Sequence, residues 1–119
     1  MSATLFADDL APVGDADTVL RALADPHRRR ILHLVRDEEL AAGQISSHFD
    51  ITQQAVSQHL RVLRDAGLLA ERRDGIRRLY SLRAEGLDPM RAVLAELWPD
   101  ALLRLKRAVE QSKRQPKEG

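Results

Sequence analysis

The chain has no cysteine, so disulfides, thiolate metal centres and thiol redox sensing are excluded. Aromatic residues are scarce, with one Trp, one Tyr and two Phe in 119 residues, and any core must be built from aliphatic side chains. No apolar run approaches the ~20 residues of a membrane-spanning helix, and residues 1–12 hold no basic residue with which a secretory signal could begin. A cytoplasmic protein with no membrane partner is expected. No Ser/His/Asp, Cys/His or paired-carboxylate arrangement can be assembled on elements that would converge, so neither an enzyme nor a cofactor is expected. What remains is 44% hydrophobic and 31% charged, the composition of a single folded domain. The net charge of +1 conceals an asymmetry. Residues 1–17 carry Asp8, Asp9, Asp15 and Asp17 without a Lys or Arg, whereas residues 52–83 carry Arg61, Arg64, Arg72, Arg73, Arg77, Arg78 and Arg83 against Asp65, Glu71 and Asp74. A basic middle suits a polyanion better than a membrane.

Residues 52–67, TQQAVSQHLRVLRDAG, read as one helix of thirteen to fourteen residues. Thr52 is a good N-cap and Gly67 stands where a left-handed residue would close the helix. At about 100° per residue, Val56, Leu60 and Leu63 form one side while Gln54, Ser57, Gln58 and Arg61 cluster on the other. That polar side has no Lys, Glu or Asp, the usual stock of a solvated helix face. Its amides, hydroxyl and guanidinium are instead the groups that read base edges: Gln on adenine, Arg on guanine, Ser on either.

Around this helix the pattern predicts a winged helix-turn-helix. Residues 1–14 read as a flexible arm and 112–119 as a basic tail, with the domain between them at 15–111. A first helix is expected from Asp15 or Asp17 with Ala16, Val19, Leu20 and Leu23 on one side. A second, at 27–37, is capped by Asp25 and started by Pro26, and presents Ile31, Leu32, Leu34 and Val35. A third, short helix at 42–49 buries Ile45 and Phe49, and a turn at Asp50-Ile51 leads into the polar-faced helix. Strand-like runs at 68–73 and 76–82 flank Asp74-Gly75, a two-residue hairpin signal, with Tyr80 and Leu82 on one face. The hairpin tip is a basic wing. Residues 87–111 return to helical period with an apolar stripe too broad for so small a domain to cover. The stripe and the first helix are therefore expected to pair with a second copy, and Pro99 to kink or split the last helix.

Three stretches together, ADPHRRRIL at 24–32, VSQHLRVLRDAGL at 56–68 and RRLYSL at 77–82, resemble the ArsR/SmtB family of bacterial repressors over about residues 17–110. The resemblance implies a mainly α fold with a small β-hairpin, a winged helix-turn-helix dimerising through its first and last helices. It further implies a homodimeric, autoregulatory repressor on an inverted repeat in double-stranded DNA, released by a small-molecule or protein inducer. Carried over residue by residue, the recognition-helix positions are Gln53, Gln54, Ser57, Gln58, His59 and Arg61. Arg72, Arg73, Arg77 and Arg78 would hold phosphates or enter the minor groove. The dimer would use Val19, Leu20, Leu23, Met90, Val93, Leu94, Leu97, Trp98, Ala101, Leu102 and Leu105. Family members that sense metals often place a cysteine pair where this chain reads LAAGQI at 40–45, or carboxylates and histidines on the last helix, where this chain has Asp88 but Met90 and no histidine after His59. No metal is expected at either place. The chain looks more like cysteine-free members with D-P-x-R-R and a Trp in the final helix, often encoded beside a small lipid-fold protein.

The remaining polar residues carry plainer expectations. Arg28, Arg29 and Arg30 suit a solvated first turn with one structural ion pair better than a phosphate contact. His33 and Asp37, one turn apart, are two ligands at most and read as a surface pair. His27 and His48 stand alone. His59, on the flank of the polar face, is left between a phosphate contact and an intramolecular hydrogen bond. Trp98 belongs to the dimer or core stripe rather than to a ligand box. A protein-interaction module with weak, non-specific DNA binding is the alternative function.

Overall fold

A computed structural model describes residues 14–114, without the side chains of residues 101, 102, 113 and 114. The expected arm at 1–13 and the end of the tail at 115–119 lie outside the described residues. Helix α1 (Ala16–Leu23) begins where Asp15 accepts a hydrogen bond from the Thr18 amide at 2.8 Å. Helix α2 (Pro26–Leu34) begins where Asp25 Oδ1 accepts from the His27 amide at 2.7 Å and the Arg28 amide at 3.3 Å. Both satisfy amides that a helix start leaves without partners. Helix α2 ends at Leu34 rather than Asp37, because Val35 leaves helical geometry at φ −100° and ψ 11°. Asp37 is instead bound by its neighbour Arg36 at 3.0 Å, so the His33 and Asp37 pair is not a shared site.

A two-residue strand, β1 (Leu40–Ala41), follows, and it was not visible in the sequence pattern. It leads directly into α3 (Ala42–Ser46), shorter than the expected 42–49. Helix α4 (Gln53–Asp65) is the thirteen-residue element that the caps predicted. Thr52 Oγ1 accepts from the Ala55 amide at 3.0 Å. At the other end Leu68 N donates to Leu63 O and Gly67 N to Arg64 O, both at 2.9 Å, with Gly67 at φ +81°. This is the Schellman closure, and its left-handed residue costs glycine nothing.

Strands β2 (Leu69–Asp74) and β3 (Arg77–Leu82) form the wing, in a three-stranded antiparallel sheet of order β1-β3-β2. Asp74 pairs with Arg77, so the turn is Gly75-Ile76 and not Asp74-Gly75. Only Gly75 has a positive φ there, at 68°, which is the requirement of a type II′ turn with glycine first. A 3₁₀ turn (Ala84–Leu87) then leads to α5 (Asp88–Leu97) and α6 (Pro99–Arg114). The last helix is thus split at Pro99, with Trp98 at φ −142° and ψ 75° between the two halves.

The core is aliphatic throughout. Val19, Ile31, Val35, Ile45, Leu63, Leu68 and Leu69 are wholly shielded, and Val56 and Leu60 nearly so. Each such side chain contributes about 1.5–3 kcal/mol, and together they seat α4 by its apolar side with its polar side turned outward. The packing corrects part of the expected dimer surface. Val19 is a core residue with 0% exposure, unavailable to a second chain, and Leu23 and Met90 lie half-buried against the same cluster. Leu20, Leu94, Leu97, Trp98 and Leu105 remain exposed and Val93 is intermediate. The side chains of Ala101 and Leu102 lie outside the described residues.

Candidate nucleic-acid interface

Because Val56, Leu60 and Leu63 hold α4 to the core, its opposite side is presented whole. Gln53, Gln54, Ser57, Gln58 and Arg61 line one open concavity of about 400 Å³. All five are exposed, and among the described residues none of their side chains has a hydrogen-bond or ionic partner. A row of unsatisfied amides, a hydroxyl and a guanidinium on a rigid helix is chemically able to read hydrogen-bonding edges in a groove.

His59 is not part of that row. Its Nδ1 lies 3.3 Å from Arg28 Nη1 and its ring centroid 5.5 Å from that of His27, so of its two expected roles the intramolecular one is what the geometry provides. Burial lowers the pKa of His59, and the neighbouring charges of Arg28 and His27 lower it further, against the pull of Asp25. Arg28 also donates from Nε to Ala22 O at 2.7 Å and from Nη2 to Arg21 O at 3.1 Å, while Arg29 Nη1 donates to Leu23 O at 2.7 Å. The pair caps the carbonyl end of α1. Arg30 lies over the Phe49 ring at 5.4 Å. The three consecutive arginines are therefore used inside the molecule, more fully than the single ion pair expected of them.

The sequence makes Asp25 a helix cap and leaves His27 alone, yet with His59 they bring three ligand atoms within 4.8 Å of one another. That cluster already has its cation. Arg28 Nη1 stands 3.3 Å from His59 Nδ1 and 3.9 Å from Asp25 Oδ2, where a metal would have to displace it. Burial works to raise the pKa of Asp25, yet it is lowered, because the Arg28 and His27 amides and the charges of His59 and Arg28 together outweigh burial.

In the wing the four arginines divide. Arg72 makes a two-pronged contact to Glu39, with Nε at 2.9 Å and Nη2 at 2.6 Å, and this bond holds the Glu39 carboxyl below its ordinary pKa. Arg78 is hydrogen-bonded to Glu71. Arg77 stands 3.8 Å from Asp74, at the limit of an ion pair and open to solvent. Arg73, opposite Arg78 in the ladder, has no carboxylate partner among the described residues. Glu71 was missed by the sequence reading except as a charge to subtract. The hairpin register could have found it, since Glu71 faces Tyr80 and so lies diagonal to Arg78 on one side of the sheet. Burial raises the Tyr80 pKa, and the adjacent Glu71 carboxylate adds to it.

A polar-faced helix closed by a turn and followed by a basic hairpin defines a winged helix-turn-helix protein. A helix-turn-helix domain model matches residues 23–72. The chain is 40% identical to the HTH-type transcriptional regulator Rv2034 of Mycobacterium tuberculosis over 72% of its own length and 80% of that protein's. It is 38% identical to the transcriptional repressor SdpR of Bacillus subtilis, covering 56% and 73% of the two chains. The crystal structure of an ArsR family transcriptional regulator, RHA00566, superposes with a TM-score of 0.63 at 26% identity, covering 68% of this chain and 84% of that one. The chain belongs to the ArsR family of winged helix-turn-helix transcriptional regulators. It is a DNA-binding regulator, and its relatives are regulators rather than enzymes. Among the described residues no helix is long and apolar enough to cross a membrane.

Proposed function

We propose that the protein is a homodimeric repressor of an inverted-repeat operator, autoregulatory, released by a small-molecule or protein inducer rather than by a metal at the family's usual residues. The observation that carries this reading is the unpartnered polar side of α4. Gln53, Gln54, Ser57, Gln58 and Arg61 would meet base edges in the major groove, with Arg73 and Arg77 at the wing tip on the backbone. A two-fold dimer would set the two α4 helices about 34 Å apart, in successive major grooves. The dimer itself is supported by the apolar surface left open on α5 and α6: Leu97 is 78% exposed, Trp98 54% and Leu105 61%. Exposed side chains of that size in one region mark an interaction surface.

The test is fluorescence anisotropy on the duplex upstream of the protein's own coding sequence against a scrambled duplex, across a salt titration. Binding that falls with salt and favours the upstream duplex at least about a thousandfold is expected. Equal, weak binding to both duplexes, with a protein partner bound irrespective of salt, would favour the interaction module, for which the same α5 and α6 surface speaks.

A further inference from the structure

We infer that Glu71 is a positioning residue for DNA recognition, fastening the wing to the recognition helix while withholding Arg64 and Arg78 from non-specific phosphate contact. The inference rests on the reading of α4 as the DNA-facing helix. The Glu71 side chain is only 8% exposed, although it sits in a strand whose next residues point into solvent. Its Oε2 accepts from Arg78 Nη1 on β3. Its Oε1 makes no hydrogen bond and lies 3.5 Å from Arg64 Nη1 on α4. A carboxylate this secluded is tolerable only beside opposite charge, and here it has two guanidinium groups from two different elements.

The place of this triad matters as much as its composition. Ser57, Arg61 and Arg64 follow one another at helical spacing along one side of α4. They line a single cleft of about 200 Å³ with Glu71, Arg78 and Tyr80. The carboxylate thus sits behind the side chains proposed to read bases, and fixes the angle between helix and hairpin. It also neutralises cations that would otherwise bind any phosphate. Burial disfavours the Arg64 charge, yet Asp65 and Glu71 more than offset it and its pKa is raised.

The experiment compares the full-length wild type with Glu71→Gln on the upstream and scrambled duplexes by anisotropy over a salt series, after thermal melts of both. Loss of the carboxylate should release one or both guanidinium groups to phosphate. Scrambled-duplex binding should then tighten at low salt, with a salt slope steeper by about one to two units, and the preference for the upstream duplex should fall at least ~10-fold. If both duplexes shift by the same factor, in either direction, the positioning role is overturned, since loss of one negative charge would account for it.

Arg78→Gln provides a second reading that does not depend on the folding of Glu71→Gln. A guanidinium withheld from phosphate contributes no counterion release, so this variant should leave the scrambled-duplex slope unchanged. A slope flattened by about one unit overturns the inference. Should the wild type itself show no preference for the upstream duplex, the functional reading fails, while the scrambled-duplex slopes still decide whether Glu71 holds the two arginines back.

Discussion

The outer side of α4 and the wing are both rich in polar groups, but the protein treats them differently. On α4 the five outward side chains make no hydrogen bond or ion pair among the described residues, and their backbone is clamped by the Thr52 cap, the Gly67 closure and the apolar seat beneath. In the wing, Arg72 and Arg78 are bound to Glu39 and Glu71, leaving Arg73 and Arg77 toward the tip. Rigid backbone with free side chains suits a surface that must present hydrogen-bonding groups in one register. Restrained side chains on a hairpin suit a surface that must hold a fixed attitude to a charged rail. Positive charge alone would have ranked the wing first as the DNA-contacting region, whereas side-chain freedom ranks α4 first.

The comparison breaks most visibly at Arg61. Arg61→Ala should weaken upstream-duplex binding by about 1–3 kcal/mol and scrambled-duplex binding by far less, read as two anisotropy titrations. Next in size is the joint between the two regions. Gly67→Ala forces a β-carbon into a left-handed residue and should cost about 1 kcal/mol or more, seen as a fall of several degrees in Tm.

Arg73→Ala should act on both duplexes alike, a loss of a few-fold with the salt slope flatter by about 0.9. A loss confined to the upstream duplex would move Arg73 from backbone holder to base reader. The smallest effect sits on the flank of α4, at His59. The folded state holds the His59 pKa below 6.5, so it favours the neutral imidazole. The stability from His59 is fully present above the unfolded value of about 6.5. It is lost as pH falls through the lower folded value, because the unfolded chain binds the proton more readily. Denaturant melts across this range should show that decline in the wild type and a flatter profile in His59→Gln.

What was legible in the sequence was mostly local. Asp15, Asp25, Thr52 and Gly67 each announce a helix end through atoms a few residues away, and the structure uses all four. Pro99 likewise divides the last helix through its own ring and missing amide. What was hidden depends on partners distant in the chain. Strand β1 exists only through its pairing with β3, Leu40 with Tyr80 and Ala41 with Leu79, and two residues carry no period of their own. The Glu39 to Arg72 bond and the contact of Arg28 with His59 join residues 33 and 31 positions apart. The wing turn was displaced by one residue because Asp-Gly and Gly-Ile are both acceptable at its centre, and only the ladder register decides. In the candidate site the helical period of 52–67 placed the polar row of α4. The division of the wing arginines into bound and free followed from carboxylates whose reach the sequence does not display.

The most direct test of the central distinction is a panel of upstream duplexes, each with one base pair changed, titrated with wild type and with Arg61→Ala. If α4 reads bases while the wing holds the backbone, the wild type should lose about 1–3 kcal/mol at a few positions in each half-site. Arg61→Ala should become indifferent at one of them and stay sensitive at the others. Uniform weakening of Arg61→Ala across the panel, with every position still discriminated as in the wild type, would contradict the account and make Arg61 another phosphate contact.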